Sequence, residues 1–173
     1  MRALWLRFLD WLSRIFGIGR RVVPREPVSV RPIGVVRNNV KHPRMDGWGD
    51  VRSDILFREE LTDALDGIEG YSHVIVIFAF DRVPESEQKL RLRPRGDERF
   101  PEQGVLATRS QLRPSPLGVS VVKLLRHRRN VLRVEGLDAI DGTPVLDVKP
   151  YFPNYDAVAD AGIPEWARGL ERG

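Results

Sequence analysis

"HVIVIFAF", His73–Phe80, is the stretch on which the reading of the chain turns. β-Branched and aromatic residues dominate it, the composition of a strand. Both of its faces are apolar, which predicts a central strand covered on two sides rather than a half-solvated edge. The charged pair Asp81–Arg82 stands at its exit.

Short segments of the same kind lie on either side. "IGVVR" (Ile33–Arg37) and "VRSDILF" (Val51–Phe57) precede it. "KLRLR" (Lys89–Arg93), "GVLAT" (Gly104–Thr108), "GVSVVKLL" (Gly118–Leu125), "VLRVEG" (Val131–Gly136) and "PVLDVKPY" (Pro144–Tyr151) follow. These short runs, most of them bounded by turn formers, read as strands. In the last, Leu146 and Val148 alternate with Asp147 and Lys149, the period of a half-exposed strand. A single helix interrupts them: Leu61, Ala64, Leu65 and Ile68 share a face, Glu59 and Glu60 suit its start, and Gly67 and Gly70 end it. Helices do not alternate with strands, so a Rossmann sheet is disfavoured. Neither a GxGxxG after a strand nor a P-loop is present. The pattern predicts a mainly β chain, a small antiparallel β-barrel or sandwich with one short helix.

Residues 1–22 stand apart. In "MRALWLRFLDWLSRIFGIGRR", Leu4, Phe8, Trp11, Ile15 and Ile18 recur at helical spacing, with Arg7, Asp10 and Arg14 opposite. This predicts an N-terminal amphipathic helix followed by a linker over 23–30. Its charges interrupt it well short of the ~18 apolar residues of a membrane span, and no signal-peptide cleavage site follows. Packing on the body or on a second subunit is the favoured reading; membrane-surface contact is the other. The chain is expected to be cytoplasmic.

The length of 173 residues suits one core. The absence of cysteine excludes disulfides and thiolate-bound metals. His42, His73 and His127 have no ligand spacing, so no metal is expected. The formal charge of +4 suits an anionic partner such as RNA, and equally an arginine-rich surface.

Four stretches carry candidate chemistry. In "ATRSQLRPSPLGVSVVKL" (Ala107–Leu124), Pro114 and Pro116 stiffen an arm that presents Arg109 and Arg113. Such guanidinium groups suit carboxylates or phosphates. In "GLDAIDGTPVLDVKPY", Asp141–Gly142 is a turn signal, and a turn with exposed amides and a carboxylate suits an amino group or a ribose. Asp81, with Arg82 beside it, sits at the mouth of the central strand. "KLRLRPRGDERF" sets Arg91, Arg93, Arg95 and Arg99 in a basic stripe, and "RHRR" (Arg126, His127, Arg128, Arg129) reads as a loop-tip patch; both suit an RNA backbone.

Together these residues resemble the TsaA-like family. "GVLATRSQLRPSPLGVSVVKL" followed by "GLDAIDGTPVLDVKPY" is similar to two long family motifs, and "IEGYSHVIVIF" and "IGVVRN" look like its strands. The likeness covers 31–160 and leaves 161–173 as a tail. It implies a small β-barrel methyltransferase, usually a homodimer, that uses S-adenosyl-L-methionine to methylate the exocyclic nitrogen of threonylcarbamoyladenosine beside the tRNA anticodon. By that resemblance Arg109 binds the cofactor, Asp141, Gly142, Thr143 and Pro144 form its turn, and Val119 packs against it. Asp81 and Arg82 fall where many members have a histidine and a polar residue. Pro43, Arg44 and Met45 correspond to a further cofactor segment. Ser115 replaces the usual asparagine of the arm, and Asp81 replaces the histidine.

The resemblance implies a cofactor with anionic groups and an RNA partner. Arg113 faces one or the other. A carboxylate or a water is expected as the base, with Asp81 and Asp141 the candidate carboxylates. A small-molecule or protein acceptor, and a non-enzymatic RNA-binding barrel, are the alternatives. A dimer interface is expected on edge strands or on the N-terminal helix.

Overall fold

The computed structural model describes residues 28–170. The expected amphipathic helix over 1–22 and most of its linker lie outside the described residues. From Arg31 onward the chain is a compact unit that carries every strand below.

Six strands close an antiparallel barrel: β1 (Gly34–Arg37), β2 (Arg52–Phe57), β3 (His73–Ala79), β6 (Leu117–Arg128), β7 (Val131–Glu135) and β8 (Pro144–Pro150). Their order around it is β1-β2-β7-β6-β3-β8. The two-residue strands β4 (Arg91–Leu92) and β5 (Gln103–Gly104) pair outside it. The interior follows from alternation. Val36, Ile55, Val74, Val76, Phe78, Val122, Leu132, Val134 and Val145 point inward and are almost fully buried. Burying each such side chain contributes about 1.5–3 kcal/mol.

β3 is hydrogen-bonded along both sides, to β6 and β8, as a central strand must be. Its outer face is only half covered, however: Ile75 and Ile77 are partly exposed where two apolar faces predicted burial on both sides. In β8 a bulge makes Leu146 the extra residue, because Ile77 pairs with Asp147 and Phe78 with Val145. Val145 and Val148 therefore turn toward the core three residues apart, and the expected simple alternation is broken.

Three expected elements differ. The helix is a 3₁₀ segment, Glu59–Leu65, in which the Thr62 hydroxyl donates to the Glu59 carbonyl at 2.7 Å. "GVLAT" is strand only at Gly104; Val105–Ala107 forms a 3₁₀ turn closed by the Thr108 hydroxyl on the Val105 carbonyl at 2.8 Å. β6 runs through "RHR" to Arg128, and the turn to β7 is Arg129–Asn130, with Arg129 at φ 53°. Arg126 and Arg128 thus project from the barrel wall rather than from a loop tip. Closure also removes free edges from the barrel, so edge strands are not available there as a dimer interface.

Candidate active site at one mouth of the barrel

Antiparallel order fixes which connections share an end. Residues 38–51, 80–116 and 136–143 all emerge at one mouth; 58–72 and Arg129–Asn130 lie at the other. The segments read as cofactor-related, up to about a hundred residues apart in sequence, thus all belong to connections at this end: Pro43–Met45, Asp81–Arg82, Arg109 and Asp141–Pro144, with Arg82 in contact with Asp141. Val119 follows close behind, near the start of β6. Arg126, Arg128 and Arg129 are not part of this end.

The DGTP turn is the best-braced element here. Gly142 has φ 87°, a conformation open to glycine, and a Cβ there would come within 3.0 Å of the Arg82 guanidinium. Arg82 donates to the Asp141 carbonyl at 2.8 Å. The Asp141 carboxylate accepts from the Asn38 backbone N–H at 3.1 Å and pairs with Lys41 at 2.8 Å, with Arg37 at 3.9 Å. The Lys41 hydrogen bond, then the Asn38 N–H, holds its carboxyl below the usual carboxylate range. Asp141 stays ionised except in acid and is a poor proton acceptor, which weighs against it as the base. The expectation of exposed turn amides is corrected as well. The N–H groups of Asp141, Gly142 and Thr143 donate to the carbonyls of Val40, Val36 and Ile140. The turn is a rigid wall, not a set of free donors.

Asn38 is the residue that sequence reasoning missed. Its amide donates to the Ser53 hydroxyl and to the Ala139 carbonyl, both at 2.9 Å, while its carbonyl oxygen accepts from the Val40 N–H at 3.0 Å. One side chain joins the end of β1 to β2 and to the segment before the turn. A lone asparagine after a strand gives no signal of this. Beside it lies an open groove of about 460 Å³ lined by Arg37, Asn38, Asn39, Arg52, Asp54, Arg133 and Asp141. A second, of about 540 Å³, shares Asn39 and Arg52 and reaches Arg44.

The remaining candidates fall into two sets. Asp81 and Arg109 are exposed, and neither side chain has a hydrogen bond or ion pair with a described residue. Met45 is exposed, and Arg44 stacks over the Trp48 ring at 4.8 Å. Arg113, by contrast, is turned into its own arm. It donates to the Thr108 carbonyl at 2.8 Å, and its Nε is buried without a partner. The expected arginine stripe does not form on a sheet either. Arg91 pairs with Glu102 at 3.3 Å, Arg93 donates to the Phe100 carbonyl at 2.9 Å, and Arg95 pairs with Asp46 at 3.2 Å. Arg99 is chelated by Asp97, whose carboxyl is lowered to about 2 by that hydrogen bond. Val119 faces outward on β6, 45% exposed.

A family model described as the tRNA-methyltransferase O N-terminal domain matches residues 36–157. An S-adenosyl-L-methionine-binding protein of Archaeoglobus fulgidus is 42% identical over 133 residues, 75% of this chain and 93% of that protein. The tRNA (adenine(37)-N6)-methyltransferase of Escherichia coli is 35% identical over 140 residues, 75% of this chain but 60% of that enzyme. The crystal structure of TrmO from Pseudomonas aeruginosa superposes with a TM-score of 0.67 at 33% identity, covering 86% of this chain and 64% of that one. The chain thus spans about three-fifths of the length of these longer relatives.

Proposed function

The chain belongs to the tRNA-methyltransferase O N-terminal domain family, and from that premise we propose that it is an S-adenosyl-L-methionine-dependent methyltransferase acting in the cytoplasm. Its proposed acceptor is the exocyclic nitrogen of threonylcarbamoyladenosine in the tRNA anticodon loop. The observation that supports the reading is that Asp81–Arg82, Arg109 and the braced DGTP turn belong to connections at one mouth, where Arg82 meets the Asp141 carbonyl. The residues present fit the cofactor. Arg109 is an exposed guanidinium without a partner among the described residues, suited to the carboxylate of an amino acid. The groove beside Asp141 carries both signs of charge, as a zwitterion requires, and its volume lies in the ordinary range of ligand sites.

The cofactor supplies a methyl group on a sulfonium, an activated donor that needs no metal. The protein's task is then positioning. Arg109 holds the amino-acid end. Arg82, Asn38 and Lys41 keep the turn fixed as the wall against which cofactor and acceptor are set. The acceptor nitrogen, once methylated, would carry one proton to be removed. Asp81 is the carboxylate free to take it, since Asp141 is engaged by Lys41. Calorimetry tests the first half: wild-type protein should saturate with S-adenosyl-L-methionine, and Arg109→Ala should bind roughly tenfold or more weakly, as loss of a charged hydrogen bond costs ~1.5–3 kcal/mol. Equal affinity in the two would remove Arg109 from the site. The second half is tested in tRNA from a strain lacking the protein, which should be missing one methylated nucleoside.

A homodimer is part of the same reading. Leu117, Val119 and Val121 alternate outward on β6, each 40–46% exposed, beside Ile75 and Ile77 of β3. A contiguous apolar sheet face of this kind suits a second copy of the chain, for which a stable interface buries ~1,600 Å². It would bring Val119 to the interface near the mouth. Val121→Lys should convert a dimer to a monomer by light scattering; a wild-type monomer at working concentration would rule the dimer out.

A further inference from the structure

The basic residues of the barrel wall are arranged by register. Arg37 of β1 lies opposite Asp54 of β2, Asp54 opposite Arg133 of β7, and Arg133 opposite Arg126 of β6. A second row runs from Arg52 of β2 through Glu135 of β7 to Lys123 of β6. Arg128 adds a cation one step further along β6. Neighbouring strands are about 4.8 Å apart and alternate residues about 6.8 Å, so these groups form a lattice rather than a scatter. The inward positions of the same strands are apolar apart from Ser53, Ser120 and His127.

Charge on this wall is unbalanced. β1, β2, β7 and β6 carry six cations (Arg37, Arg52, Lys123, Arg126, Arg128, Arg133) against two carboxylates (Asp54, Glu135), a surplus of four. That equals the formal charge of the whole 173-residue chain, +4, so the remainder is balanced to zero. The carboxylates are already spent: Asp54 chelates Arg133 at 2.7 and 2.8 Å, and Glu135 holds Arg52 at 3.1 Å. The side chains of Lys123, Arg126 and Arg128 have no hydrogen bond or ion pair with any described residue. The arginines of 91–95 are instead drawn to acceptors of the protein itself, as described above.

We propose that this wall, and not the 91–95 segment, is the surface that receives the phosphate backbone of the RNA. The inference rests on the tRNA reading above and adds where the RNA lies. The groove beside Asp141 joins wall and mouth through Arg37, Arg52 and Arg133. A strand held on the wall leads to that groove, where a single nucleotide would be presented.

The test uses the full chain, unfractionated tRNA and the triple variant K123E/R126E/R128E, with the neutral K123Q/R126Q/R128Q as a milder second. Both should keep wild-type melting and S-adenosyl-L-methionine affinity, because all three side chains are exposed. The charge-reversed variant should bind tRNA at least about tenfold more weakly at low salt. The neutral one should flatten the slope of log affinity against log salt by about 2–3, one contact's worth per residue removed. Its KM for tRNA should rise with kcat unchanged at saturation. Replacing Arg91, Arg93 and Arg95 by alanine should lower melting and leave the slope alone. A wild-type enzyme that methylates tRNA while the triple variants keep its slope and KM would overturn the wall and spare the function. A wild-type protein that binds anionic vesicles but no tRNA at low salt would overturn both.

Discussion

Gly118→Val is expected to lower the melting temperature by on the order of 10 °C. A Cβ at Gly118 would stand 2.2 Å and 2.4 Å from two ring carbons of Phe78, well inside contact distance. Phe78 is 1% exposed, and its ring meets Phe80 edge-on at 5.5 Å. The two positions face each other across the β3–β6 ladder, which is paired from His73 to Ala79 without a shift. Neither strand can retreat without breaking hydrogen bonds. Overpacking of this kind typically costs 1–3 kcal/mol and occasionally more; with a whole isopropyl group added we expect at least about 3 kcal/mol. For a chain of this size, each kcal/mol moves the melting point by about 2–4 °C. Phe78→Leu in the Gly118→Ala background should recover part of the loss, a coupling that separate sites would not show. Melting of Gly118→Val within about 2 °C of wild type would mean that the ring does not lie on Gly118.

That contact illustrates what the sequence could and could not convey. The strands were legible because apolar periodicity is local: residues 73–80 read as a strand without knowledge of its partners. Closure was not legible from periodicity, since a sandwich and a barrel present the same alternation. The glycine in "PLGVS" reads only as freedom of the backbone, whereas its role is to leave room for a ring forty residues away. The bulge at Leu146 was hidden for the same reason, because it exists only relative to the β3 register.

The candidate site divides along a similar line. Motif resemblance picked out Arg109, Asp81, Arg82 and the DGTP turn, and topology brings them to one mouth. What each group is free to do depends on partners that residue type does not reveal. Asp141 looked like a ligand or a base and is engaged by Lys41, Asn38 and Arg37. Arg113 looked like a twin of Arg109, yet it braces the arm that carries both. The arginines from 91 to 99 looked like one stripe; four separate acceptors take them instead. Asn38, which ties three segments together, stood only as the last residue of the strand likeness "IGVVRN", with nothing to mark its side chain.

These assignments lead to an asymmetry between the two carboxylates at the mouth. Asp81→Asn is expected to reduce kcat for methyl transfer by about 10²–10⁴-fold, the usual contribution of a positioned base, and to leave cofactor affinity and melting unchanged. The side chain has no partner among the described residues, so its removal breaks nothing in the fold. Asp141→Asn should do the reverse. Its carboxylate holds Lys41 and the Asn38 N–H, and releasing them loosens the loop over 38–51 and the turn together. Cofactor affinity should fall and melting should drop, with a smaller change in kcat once the cofactor is saturating. Asp81→His gives the decisive comparison, because an imidazole is a competent base where an amide is not. It should restore much of the rate lost in Asp81→Asn, in line with the histidine that the resemblance places at this position. If Asp81→Asn turns over at the wild-type rate with saturating cofactor and tRNA, the proton leaves through solvent, and the mouth acts by alignment alone.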